Sequence, residues 1–116
     1  MKNKKSILRY RSWDVFIQTG EYANGRIAIQ LIDANDYCPV ATATVNIPEH
    51  HLNDDEIIVK GYSENKGMES WLQSVGLVTE ILGTVPTGFV EATVCRVDFE
   101  KLCEYDPGFK FCLRCK

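Results

Sequence analysis

The chain contains no run of about 18 apolar residues, so nothing in it reads as a membrane-spanning helix. The basic stretch Met1 to Arg11 has no apolar segment behind it, and charge returns at once with Asp14, so it does not read as a signal peptide. No serine sits in a G-x-S-x-G setting, and there is no phosphate-binding glycine loop or dinucleotide fingerprint. Internal repeats, low-complexity tracts and linkers are also missing. Histidine is scarce, with only His50 and His51, side by side and without an HExxH pattern. A polar loop after Pro48 explains them more simply than a metal ligand or a general base. The adjacent carboxylates Asp54, Asp55 and Glu56 do not make a glycosidase pair, which needs two carboxylates on opposite sides of a substrate. These absences favour a binding protein over an enzyme, and a cytoplasmic location.

What remains is one domain's worth of chain: 116 residues, 45% hydrophobic and 25% charged. A chain of that length buries roughly two-thirds of its unfolded surface and can fold without disulfides or metal. The net charge of −3 hides an asymmetry. Residues 1–11 hold five basic groups and no acid, and residues 108–116 hold three basic groups and no acid. The middle, 12–107, keeps five basic groups against all 16 acids, a net of −11. Such a body repels phosphate, so direct nucleic-acid binding is left to the two ends. The divisions suggested are a basic segment 1–11, an α+β domain 12–102 and a cysteine-containing basic extension 103–116.

Hydrophobic periodicity gives the elements. Trp13 to Thr19 alternates with Trp13, Val15 and Ile17 on one face, and Arg26 to Asp33 alternates with Ile27, Ile29 and Leu31 inward. The Asn24-Gly25 pair between them suits a hairpin turn. Further strands are read at 39–47 and 56–60. Met68, Trp71, Leu72 and Val75 recur at helical spacing after Asn65, a plausible N-cap, and Gly76 suits the residue just past a helix C-terminus. Residues 77–82 read as a strand, Gly83 to Gly88 as a turn, and Phe89 to Phe99 as a central strand covered by the helix. The expected fold is α+β: one mostly antiparallel sheet of about six strands, with one short helix (about 65–76) on one face.

Two groups could carry chemistry. Cys95, Cys103, Cys112 and Cys115 fall as C-x7-C-x8-C-x2-C, in which the last pair is a zinc-knuckle spacing. A structural zinc bound by these four is one reading, with Cys38, His50 or His51 able to replace Cys95. Ordinary free thiols are the plainer one, a disulfide or redox role is the third, and an odd count of five fits a reducing compartment better than a disulfide framework. The loop Gly61 to Asn65 joins a strand to the helix and offers Tyr62, Glu64 and Asn65 for contact with a partner, unless Ser63 and Asn65 only cap the helix.

The stretches RIAIQLIDANDYCPVATATVNIP, YSENKGM and TVPTGFVEATVCRV, spanning about residues 12–97, resemble an uncharacterised domain-of-unknown-function family. That family comprises small proteins of bacteria, phages, plasmids and conjugative elements. The resemblance implies a compact α+β fold and a mobile-element setting, and it supplies no catalytic residues. Members end soon after the VCR segment. This chain continues through FEKLCEYDPGFKFCLRCK, which contributes three of the four clustered cysteines. By analogy with small phage proteins that block host proteins, the expected function is non-enzymatic protein binding, in its sharpest form counter-defence inhibition of the anti-CRISPR kind. In that form an acidic surface docks on a basic host protein. The alternative is an accessory nucleic-acid-binding protein with a zinc-stabilised tail.

Overall fold

The computed structural model describes residues 6–109. Strands β1 (Leu8–Tyr10), β2 (Trp13–Glu21), β3 (Ile27–Asp33) and β4 (Pro39–Thr42) form an antiparallel four-stranded sheet in sequence order. The alternation read from the sequence holds for Val15, Ile17, Ile27, Ile29 and Leu31, which are buried, but Trp13 at the start of β2 is exposed. Gly25 takes φ 87° in the turn between β2 and β3, a conformation that costs other residues more.

A second sheet contains β5 (Glu56–Val59), β6 (Val78–Thr87) and β7 (Val90–Val97) in the order β5-β7-β6. β7 is its central strand, as its apolar character on both faces suggests. The expectation of a single six-stranded sheet with one helix therefore needs correction: the described residues form seven strands in sheets of four and three, and two α-helices. The cause lies at residues 43–45. β4 ends at Thr42, and the chain passes from one sheet to the other there. Ala43 N–H donates to the Ile29 carbonyl, Val45 N–H donates to the Ile58 carbonyl, and Thr44 bridges Val59. Continuous small and β-branched residues gave no local sign of that change of partner.

Helix α1 (Met68–Ser74) buries Met68 and Leu72 against the main core. Its N-cap is Gly67, at φ 89°, and Asn65 belongs to a preceding 3-10 turn, Ser63–Asn65. The helix closes as expected: Gly76 is left-handed at φ 85°, and Leu77 N–H reaches the Leu72 carbonyl. Helix α2 (Phe99–Tyr105), which spacing did not reveal, starts at Asp98, whose carboxylate accepts from the amides of Glu100 and Lys101. Leu102, Tyr105 and Phe109 join the same core as the first sheet and α1. No helix among the described residues is long and apolar enough to cross a membrane.

Candidate functional site: the β6–β7 hairpin

Most of the residues marked by the sequence are held within the fold. Cys95 lies on β7 in the main core, fully buried, and burial first, with the Glu69 carboxylate second, pushes its thiol up to about 12. Cys103 sits half-buried on α2 and is disulfide-bonded, so it is not the free thiol of the plainer reading. Cys112 and Cys115 fall outside the described residues. Cys38 is exposed on the β3–β4 turn, where Asp36 and then slight burial raise its pKa. Among the described residues, no three metal-ligating side chains cluster.

The Cys95 thiol leads to a testable expectation. Iodoacetamide at pH 8 leaves Cys95 unmodified in the native chain and labels it once urea unfolds the protein, as read by peptide mass mapping. Because the neutral thiol is the form the fold favours, this contribution to stability is complete below the ordinary thiol pKa of 9.0 and disappears as pH rises towards about 12. Rapid native labelling of Cys95 would contradict it.

The loop bearing Tyr62, Glu64 and Asn65 is bound into the structure as well. Asn65 is 1% exposed and its amide donates to the Thr42 carbonyl at 2.7 Å, so it fastens the 3-10 turn to β4 and is not open to a partner. Tyr62 packs on a second apolar cluster of Ile58, Val85, Ala92 and Val94, with the Lys60 ammonium 5.8 Å from its ring. Glu64 projects into solvent but is ion-paired with Lys60 at 2.7 Å; that bond holds its carboxyl below the usual range and raises Lys60.

The feature without a folding explanation is the hairpin of β6 and β7 in the second sheet. β6 runs through Thr87, across the segment expected to be a turn. Two irregularities in its register lie at Val78/Glu80 and Ile81/Gly83, after which pairing with β7 is regular from Gly83↔Val94 to Thr87↔Val90. Gly83 and Pro86 suggested a turn because both are poor strand residues. Here Gly83 ends a bulge and Pro86 occupies an edge strand, where a missing N–H is harmless. The reversal itself is the two-residue loop Gly88-Phe89. Gly88 has φ 69° and Phe89 does not take positive φ, the pattern of a type II′ turn with glycine first.

That turn holds Phe89 entirely in solvent, at 108% relative exposure. Below it on the hairpin are Val90, Leu82 and Ile81, at 38%, 39% and 46%. Six consecutive residues of β6, Thr79 to Thr84, are exposed, so this part of the strand is covered on neither face. Large apolar groups collected on a rigid projecting element usually mark an interaction surface.

The base of the hairpin is firm. On one face the second apolar cluster is covered by Val45, Ile47, Leu52 and Tyr62 from the loop between β4 and β5 and its neighbour. Arg26 pins that loop by donating to the carbonyls of Ile47 and His50. The surroundings are acidic. Arg96 on β7 is bonded to Glu80 and pairs with Asp55 at 3.4 Å and with Glu56 at 3.9 Å, and exposed Glu91 stands nearer the tip. Arg96 thus pairs with three carboxylates beside the apolar strip, and Glu91 adds a fourth nearer the tip. A groove of about 310 Å³ runs beside β6, lined by His50, Glu56, Leu82, Gly83, Thr84 and Val94.

Sequence reasoning missed Phe89, Ile81 and Leu82 as surface residues. The available signal was the aromatic directly after Gly88, at a position where turns usually carry polar residues. No family model, curated protein or solved structure matches the chain.

Proposed function

We propose that this chain is a non-enzymatic binding protein that grips another protein through the β6–β7 hairpin. The observation that carries the reading is Phe89, wholly exposed at the tip of a buttressed hairpin whose fold gives it nothing to pack on. Burying a phenylalanine side chain contributes about 2 to 3 kcal/mol, enough to make it an anchor of an interface. Glu80, Glu91, Asp55 and Glu56 around the strip suit a partner with a basic rim about an apolar recess, since complementary charge speeds encounter and fixes orientation. The acidic balance of residues 12–107 supports the same partner class. If that partner is a nucleic-acid-handling enzyme, the counter-defence form of the reading follows, because an acidic protein on a basic cleft excludes phosphate.

The test places a photo-cross-linking amino acid at position 89 of the full chain and irradiates it in nuclease-treated lysate of the producing cell or its host. One dominant adduct is expected, competed away by unmodified protein. Phe89→Ser should leave the melting temperature unchanged and weaken retention of that partner by about tenfold or more. Absence of an adduct, or a Phe89→Ser chain that retains the partner fully, refutes the hairpin as the contact.

A further inference from the structure

We infer that the open edge of β6 between Gly83 and Thr87 receives an extended, lysine- or arginine-bearing segment of the partner as an added strand, with one cationic side chain entering the groove at Gly83. This rests on the hairpin being the binding element. The backbone argument starts at the turn. Residues flanking a two-residue hairpin loop form a hydrogen-bonded pair, here Thr87 and Val90. Pairing alternates from there, so Val85↔Ala92 is hydrogen-bonded, while Pro86↔Glu91 and Thr84↔Thr93 are not. The N–H and C=O of Thr84 and the C=O of Pro86 therefore point away from β7. Proline fits the outward position because it has no N–H to offer the ladder.

Among the described residues β6 pairs with β7 alone, so those groups face an open edge. The opposite edge of the sheet is closed by the Thr44↔Val59 bridge. A donor and two acceptors in regular spacing are what strand addition uses for affinity, while side-chain pockets set its specificity.

The pocket is the groove. Gly83 shares the face of Val94, and a Cβ added at Gly83 would meet nothing within 4 Å. The missing side chain leaves the groove open directly beside the edge. Its walls suit a long cationic side chain: Leu82 and Val94 line the path of the aliphatic stem, and Glu56, whose carboxylate oxygens also accept from the Asn53 backbone and side-chain amides, lies at the charged head. Glu80 and Asp55 are held close by through Arg96 and add to the negative potential. The bulges at Val78/Glu80 and Ile81/Gly83 confine regular pairing to the five residues next to the tip. A short segment is therefore accepted where a long flat strand is not.

The test uses the full chain and a capped seven-residue peptide of alternating valine and lysine, with its valine–glutamate counterpart as control. In a 15N-resolved NMR titration the lysine peptide should shift the Thr84 amide and bind about tenfold more tightly than the glutamate peptide. Gly83→Val fills the groove with a good strand former, so it should melt no lower than the wild type yet lose lysine-peptide binding by about tenfold. An unmoved Thr84 amide, equal binding of the two peptides, or full binding by Gly83→Val overturns the inference. The cross-link at position 89 separates the two ideas. An adduct without peptide binding leaves the hairpin tip as the contact and removes strand addition, and loss of both removes the hairpin altogether.

Discussion

Replacing Asp106 with alanine is expected to destabilise the protein by about 3 kcal/mol, because it removes a buried carboxylate that joins distant parts of the chain. Asp106 is 4% exposed. Its Oδ2 accepts from the Thr19 amide at 2.8 Å and the Thr19 hydroxyl at 2.7 Å, and its Oδ1 accepts from the Gly108 amide at 3.2 Å. Hydrogen bonds to an ionised acceptor contribute more than neutral ones, and truncation leaves the donors of Thr19 unmatched in a partly buried setting. The same residue ends α2, so its loss also loosens Leu102, Tyr105 and Phe109 from the core. A drop on the order of 10 °C in melting temperature should accompany it. Asp106→Asn keeps an acceptor for Thr19 and should lose only about 1 kcal/mol. Urea titrations of the two variants decide the matter, and an alanine variant within 1 kcal/mol of the wild type would show that the bonds of Asp106 do little to hold α2.

Leu72→Ala should cost about as much, roughly 3 kcal/mol, by a different route. Leu72 is fully buried in the main core, on a helix of only seven residues. Two turns do not stand alone in water, so α1 exists through what it packs on. The loss should spread to β1. The Trp71 indole N–H donates to the Arg9 carbonyl at 2.8 Å, and the Tyr10 ring meets Trp71 edge-on at 5.2 Å. Loosening α1 thus frees the first strand. Hydrogen exchange should show faster exchange at Leu8–Tyr10 in Leu72→Ala, with little change in β2 and β3. The neighbouring exposed position is the control, since Gln73→Ala should stay within about 0.5 kcal/mol of the wild type. Unchanged exchange at β1 would detach the strand from the helix.

These two variants also show what kind of information the chain carries locally. Strands β2 and β3, the turn at Gly25, the buried stripe of α1 and its end at Gly76 follow from alternation, helical spacing and glycine's conformational freedom, all of which act within a few residues. They were legible in the sequence, as were the α+β class and the central place of β7. The bond between Asp106 and Thr19 was not, because it joins residues far apart in the chain. The division into two sheets escaped for the same reason: residues 43–45 change partner through long-range hydrogen bonds, and their small and β-branched side chains look alike in either sheet. α2 was hidden because Asp98 and Phe99 were read as the end of the strand before it, so the cap at Asp98 went unseen.

The candidate site depended still more on tertiary structure. Leu82 and Ile81 have the same hydrophobicity wherever they lie, and only the position of β6 at the edge of its sheet leaves them uncovered. Asn65 looked available on a loop until the fold turned its amide onto Thr42. Phe89 was counted as the beginning of a buried strand, and a type II′ turn put it in solvent. The sequence alone determined the local elements, the acidic body and the lack of a catalytic motif, because these depend on neighbouring residues and composition. The folded chain decided which apolar groups stay exposed, because exposure is set by what the rest of the molecule fails to cover.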